Sequence, residues 1–299
     1  MLLYVSPLPS LPLSMMREGV SIVIPAWNEE KRLPQTLARL LPVLEQSGQP
    51  YEVIVVADGV HDRTVEAAMR YSSRGVSTLD FSERLGKGGA VFQGFGRCRY
   101  DRIGYLDSDG PVSDQDVLQL IAALDDADCA VGSRYSPGSL AVKDQPLRRR
   151  MLRRGFHGLT RLVLGLPLYD TQCGAKFFRA ASFWEIAPNI KFRGWAFDAA
   201  LLFEMKRQGK VTREIPVNWS HDEGSKLYLP KQVPVMLASI FFIRLFEVQS
   251  PQDAPARWLW RLACLISRRP ARFALPYTQV PTRSPLAKED PEVDVARPS

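Results

Sequence analysis

The sequence of 299 residues is poor in the groups that build metal clusters and disulfide frameworks, with four cysteines, none in a CxxC pair, and three histidines. Cys98, Cys129, Cys173 and Cys264 are too scattered to suggest a zinc module or a disulfide scaffold, and a reducing compartment suits them. No apolar run reaches the ~18 uninterrupted residues that a membrane span needs. The nearest, 233–248, is broken by Arg244 and Glu247. Residues 1–16 are apolar but carry Pro7, Pro9 and Pro12 and no basic leading region, a poor secretory signal. A loose tail is expected there, or a natural start at Met15 or Met16. No internal repeat is present, which argues against a solenoid. What the chain does have is a globular balance, 45% hydrophobic and 24% charged residues. A net charge of +7 and a pI near 9.3 suit an anionic partner, whether nucleotide, lipid surface or nucleic acid.

Between residues 20 and 134, short β-branched runs alternate with longer amphipathic stretches, the pattern of βαβ units and a mostly parallel sheet. Strands are predicted at 21–25, 52–57, 76–80, 103–107 and 129–132, with helices at 29–45, 62–71, 88–98 and 114–124. A further strand is expected at 211–219 and helices at 197–207 and 233–247. The stretch 147–161, with Arg148, Arg149, Arg150, Arg153, Arg154 and Arg161 among Leu, Met and Phe, reads as an amphipathic helix with one cationic face. The chain therefore divides into a flexible tail (1–18), a catalytic domain (19–229), amphipathic interfacial helices (230–275) and a disordered Pro-rich end (276–299).

Parallel sheets bind ligands beyond the carboxyl ends of their strands, so the residues just after each strand carry the functional argument. The first strand runs into Pro25-Ala26-Trp27-Asn28-Glu29-Glu30, where acids meet the positive end of a helix. The second runs into Asp58-Gly59, either a plain turn or an acceptor for a base or ribose. Arg84-Leu85-Gly86-Lys87-Gly88-Gly89 heads a helix; its glycines let backbone N–H groups approach a phosphate and Lys87 adds a cation, though it is no Walker loop. The sharpest signal is Tyr105-Leu106-Asp107-Ser108-Asp109, where alternation along an extended chain would set both carboxylates on one side to chelate Mg2+ or Mn2+.

In order and spacing these four segments resemble glycosyltransferase family 2 enzymes of the GT-A fold. Downstream, Val131-Gly132-Ser133-Arg134-Tyr135, Asp170-Thr171-Gln172-Cys173-Gly174-Ala175-Lys176-Phe177-Phe178, Trp195-Ala196-Phe197-Asp198, Glu214-Ile215-Pro216-Val217-Asn218-Trp219 and Gly224-Ser225-Lys226-Leu227 look like the polyprenyl (dolichyl) phosphate sugar synthases. The dolichyl-phosphate β-glucosyltransferase branch is the most similar. The resemblance implies transfer, with inversion, of a hexose from a nucleoside diphosphate sugar (UDP-glucose or GDP-mannose) to a polyprenyl phosphate. It implies that Pro25, Trp27, Glu29 and Asp58 line the nucleoside pocket, and that Asp107 and Asp109 hold the metal and diphosphate. Lys226 would lie near the donor phosphates, while Arg134 with one or more of Arg148, Arg149 and Arg150 would meet the acceptor phosphate. Two departures stand out. Ala57-Asp58-Gly59-Val60 replaces the usual Asp-Asp-Gly-Ser, and Gly110-Pro111 offers no further side-chain metal ligand.

Asp198 is either an orienting group or base, as in relatives acting on hydroxyls, or an acid stabilising the first turn of its helix. The arginine run is either a solvated face or a lipid-phosphate contact. Residues 241–244 and 258–272, the latter with Trp258 and Trp260, are either core and tail or an interfacial anchor, which is the favoured reading. A peripheral enzyme on the cytoplasmic face of a membrane, with no nucleic acid partner, accounts for both the strand-end acids and the arginines. The rivals are a family 2 transferase acting on a hydroxyl, with Asp198 as base, and a non-catalytic nucleotide-sugar-binding protein.

Overall fold

The computed structural model describes residues 12–110, 112–139, 155, 158–190, 196–219 and 239–244. Strands β1 (Arg17–Ala26), β2 (Tyr51–Asp58), β3 (Val76–Phe81), β4 (Tyr100–Leu106), β5 (Cys129–Ser133), β6 (Ala175–Arg179) and β7 (Thr212–Pro216) form one sheet in the order β3-β2-β1-β4-β6-β5-β7. Helices α1 (Leu33–Gln46), α2 (Thr64–Met69), α3 (Lys87–Phe95), α4 (Asp114–Ala122), α5 (Ala180–Ile186) and α6 (Phe197–Arg207) flank it. Strands β3, β2, β1 and β4 run parallel, as do β5 and β7, while β6 is antiparallel to both of its neighbours.

The sheet is covered on both faces because its strands alternate between two apolar clusters. Val23, Ile103, Tyr105, Val131 and Phe178 join α3, α5 and α6 on one face. Ile22, Ile24, Leu106, Ala130 and Phe177 join α1 and α4 on the other. The chain builds outward from β1 to β3 along one face, then α3 carries it back across the other to β4, on the far side of β1. The carboxyl ends of β1 and β4 therefore flank a topological switch point, where open α/β sheets take ligands. Gly94 fits α3 tightly to the sheet, since a Cβ there would come within 2.4 Å of a Val23 methyl. Ser113 caps α4 by accepting from the Asp116 N–H, with Asp114 and Asp116 in the first turn at the positive end of the dipole.

Three expectations change. β1 begins at Arg17, whose N–H donates to the Arg99 carbonyl, so the strand reaches into the stretch assigned to the tail. β6 and α5 were not anticipated as elements. Residues 239–244 are helical, but Ile240, Phe242 and Ile243 are buried in the core, and Phe241 is the apolar side chain there that faces out. That stretch is therefore mostly core, against the anchor reading. Of the basic stretch 147–161, residues 155 and 158–161 are helical as expected, while 147–154, 156 and 157, and everything beyond 244 including Trp258 and Trp260, lie outside the described residues. Among the described residues, no helix is long and apolar enough to cross a membrane.

Candidate active site

β4 ends at Leu106, and Asp107, Ser108 and Asp109 form a turn, not the extended chain expected from alternation. The turn closes with the Gly110 N–H donating to the Asp107 carbonyl at 3.0 Å, and the Thr36 hydroxyl of α1 donates to the Ser108 carbonyl at 2.9 Å. The Asp107 N–H donates to the Gly174 carbonyl at 2.9 Å. A Cβ on Gly174 would stand 1.9 Å from an Asp107 carboxylate oxygen, so only glycine lets this strand lie so close.

Asp109 is pushed up to about 6 by burial first, then by the charges of Asp107 and Glu29, with Arg32 opposing. Arg32 reaches Asp109 at 3.8 Å while its guanidinium forks onto Glu29 through Nε at 2.7 Å and Nη2 at 2.5 Å. The loop thus concentrates more negative charge than its arginine neutralises, which is the condition a divalent cation relieves. No group of three His, Cys, Asp or Glu side chains able to hold a metal occurs among the described residues. Asp107 and Asp109 suit a hard cation that takes its remaining oxygens from a ligand and water.

Beside this loop lies a buried network. Tyr105 and Lys176 are cross-strand partners on β4 and β6, and both face the cluster containing α6. The Lys176 ammonium donates to the Cys173 carbonyl at 2.7 Å and to Asp198 Oδ1 at 2.5 Å, and the Tyr105 hydroxyl donates to the same Oδ1. Asp198 Oδ2 pairs with Lys87 Nζ at 3.3 Å, and Lys87 also reaches Asp107 Oδ1 at 3.0 Å. Burial alone would raise Asp198, but the Lys176 and Lys87 charges hold it well below the usual carboxylate range. Burial and the Asp198 charge push the Tyr105 hydroxyl up. Lys87 is raised because the attraction of Asp107 and Asp198 outweighs its desolvation.

A second group sits at the ends of β1 and β2. The Arg84 guanidinium stacks 4.0 Å from the centre of the exposed Trp27 ring and pairs through Nε with Asp58 at 3.3 Å. The Asp58 carboxylate accepts from the Leu85 and Gly86 N–H groups, which ties the end of β2 to the turn before α3, and burial raises it. Pro25 is a half-buried β1 residue paired with Val56.

The structure therefore brings Lys87, Asp107 and Asp198 into contact, sets Asp109 and Glu29 around Arg32, and gathers Trp27 with Asp58. Arg134, expected to meet a phosphate, is forked onto buried Asp170 through Nε at 2.6 Å and Nη2 at 3.0 Å. Glu214 in turn accepts from the Asp170 N–H, so the pair fixes the 168–174 loop to β5 and β7. Arg148, Arg149, Arg150 and Lys226 lie outside the described residues. Sequence reasoning gave no role to Tyr105, Lys176, Arg32 or Arg84. A lysine flanked by Ala175, Phe177 and Phe178 in a short apolar run was the available signal for Lys176.

A doubly covered, mostly parallel sheet with acids and the first lysine of α3 gathered at its strand ends is an α/β architecture that takes ligands at that edge. The segment 21–187 matches the model for glycosyl transferase family 2, and the chain belongs to that family of enzymes. It is 37% identical over 235 residues to the dolichyl-phosphate β-glucosyltransferase of Drosophila melanogaster, covering 73% of this chain and 72% of the relative. The Homo sapiens protein of that name is 34% identical, covering 76% and 75%, and that of Saccharomyces cerevisiae 31%, covering 76% and 74%. Among solved structures, glucosyl-3-phosphoglycerate synthase from Mycobacterium tuberculosis, in complex with Mn2+, UDP-glucose and phosphoglyceric acid, superposes with a TM-score of 0.58. It is 17% identical, covers 76% of this chain and 80% of the neighbour, and shares the fold.

Proposed function

We propose that this enzyme moves glucose from UDP-glucose, ahead of mannose from GDP-mannose, to a polyprenyl (dolichyl-type) phosphate, with inversion at the anomeric carbon. The relatives' names support the acceptor class, and the complex of the structural neighbour with Mn2+ and UDP-glucose is consistent with a divalent metal and a uridine donor. The observation that carries the reading is the state of Asp198. Its Oδ1 receives Lys176 and the Tyr105 hydroxyl and its Oδ2 receives Lys87, so it is poorly disposed to take a proton. A hydroxyl acceptor needs a base. A phosphate is already ionised and needs only positioning and charge neutralisation.

In this scheme a phosphate oxygen attacks the sugar carbon opposite the diphosphate as the bond to the nucleotide breaks. Bound between Asp107 and Asp109, Mg2+ or Mn2+ would supply charge for the departing diphosphate. Lys87 and the N-terminal N–H groups of α3 would bind the same oxygens. Trp27, Pro25 and the Asp58–Arg84 pair would hold the nucleoside, Glu29 would orient Arg32, and Lys226 would contribute a positive charge to the donor phosphates. Arg148 and Arg149 would meet the acceptor phosphate, with Arg134 ordering the loop beneath them. The stretches 1–16, 245–275 and 276–299 would be tail, interfacial segment and tail, around a catalytic domain that takes in β1 from Arg17 and the buried residues of 239–244. Work on a lipid phosphate brings the site to a membrane surface, and the reading places this protein there as a peripheral enzyme on the cytoplasmic face.

The test is a transfer assay crossing UDP-glucose and GDP-mannose with a polyprenyl phosphate and with hydroxyl acceptors, with Mg2+ or Mn2+ and with chelator. Metal-dependent labelling of the lipid from UDP-glucose is expected. Preferential transfer to a hydroxyl, abolished by Asp198→Asn, would replace this reading with that of a base-dependent hydroxyl transferase.

A further inference from the structure

Lys87 sits where a divalent cation is needed. Its ammonium is 3.0 Å from Asp107 Oδ1 and 3.3 Å from Asp198 Oδ2, at the first residue of α3. Asp198 cannot drift, because Oδ1 is held by Lys176 and Tyr105 from the neighbouring strands. Lys176 is sealed in the core, whereas the Lys87 side chain keeps 21% of its surface exposed, so a ligand can reach it. The two lysines lie 5.2 and 5.6 Å from the centre of the Tyr105 ring. One cation of the network is thus sealed in and the other is open to a ligand, with Asp198 between them.

We propose that Lys87 is a resident counter-cation that occupies Asp107 until a donor diphosphate draws it away, so that metal and nucleotide load together. The inference rests on the nucleotide-sugar reading above. Before loading, Lys87 neutralises Asp107 and competes with any free divalent ion for the same oxygen. A diphosphate offers the ammonium a stronger partner and brings oxygens that complete the metal's coordination. Lys87 turns toward it without leaving Asp198, and Asp107 is released to the metal. Each ligand therefore raises the affinity for the other by the same factor, as linkage requires.

The experiment measures Mn2+ binding by electron paramagnetic resonance, and UDP binding by calorimetry, for the full-length protein and for Lys87→Gln and Lys87→Arg. In Lys87→Gln, Mn2+ alone is expected to bind about tenfold more tightly than in wild type, while UDP at saturating Mn2+ binds about tenfold more weakly. Lys87→Arg, which keeps the charge, should stay near wild type in both. A purely structural ion pair would lower the melting temperature and leave Mn2+ affinity unchanged or weaker, and that result overturns the proposal. If Lys87→Gln does not fold, Lys87→Met gives the same readout. Wild-type protein that binds no UDP with Mn2+ present would defeat the nucleotide-sugar reading itself and the proposal with it. UDP and Mn2+ binding with equal Mn2+ affinity in wild type and variant would defeat the proposal alone.

Discussion

Asp109 carries a cost that the metal-holding role proposed for it would explain. Its carboxyl is raised to about 6 by burial and by Asp107 and Glu29, against an unfolded value near 3.9. A carboxyl raised by folding favours the folded state at low pH, and that contribution is lost as pH rises through the folded value. At pH 7.5 and without metal, Asp109→Asn is therefore expected to stabilise the protein by about 1 kcal/mol, allowing for solvent screening of this partly exposed group. The gain should vanish below about pH 4, where the carboxyl is protonated folded or unfolded. The same variant should lose nearly all transfer activity. Thermal melts at pH 7.5 and pH 4 in chelator, beside a transfer assay, check both halves, and a variant destabilised at pH 7.5 would refute the argument. Gly174 gives a complementary case. Gly174→Ala forces the Asp107 carboxylate aside, because the 2.9 Å bond between the two backbones prevents retreat, so transfer should fall about a hundredfold with the fold retained. Circular dichroism with activity measurement separates this outcome from simple unfolding.

At the scale of elements, the sequence made the parallel strands legible and hid the antiparallel one. β1 and β2 carry runs of Val and Ile, β3 to β5 are shorter mixed segments set off by the helical stretches between them, and each predicted strand falls on an observed one within a few residues. α6 falls on the residues expected for it, since Asp198 at its start and Lys206 and Arg207 at its end match the helix dipole. β6 is short, and Lys176 at its second position breaks the apolar run that marks a buried strand. That lysine is buried because Asp198 awaits it on α6, a long-range pairing that local pattern does not carry. The strand-end acids were legible for the opposite reason, since their chemistry is written in neighbouring residues, whereas the Arg134–Asp170 fork joins positions 36 apart. Removing one partner of a buried pair leaves a charge stranded, so Lys176→Met is expected to cost about 3 kcal/mol in urea unfolding. Lys176→Met with Asp198→Leu should recover more than half of that loss while remaining poorly active. If the double variant is no more stable than the single one, Lys176 contributes through packing and not through charge.

For the whole molecule, the net charge of +7 and the arginines at 148–154 bear on the proposed meeting of a soluble donor and a lipid acceptor at one site. Each basic side chain near an anionic surface adds about 1 kcal/mol of attraction, reduced by salt. The full-length protein is expected to float with vesicles containing phosphatidylserine at low salt and to be partly released at high salt. Replacing Arg148, Arg149 and Arg150 by Gln should weaken that flotation. Truncation near 230 is a poor test, because it would also remove the core residues Ile240, Phe242 and Ile243. Protein that stays with the soluble fraction at low salt would count against membrane attachment. On the lipid-phosphate reading proposed above, the tethered state of Asp198 has a further consequence. Water, unlike a phosphate, is a feeble nucleophile until a base takes its proton, and the carboxylate beside the donor has both oxygens committed to Lys176, Tyr105 and Lys87. An activated sugar can then rest in the pocket without being squandered on hydrolysis, so release of free glucose in the absence of lipid should be far slower than transfer in its presence.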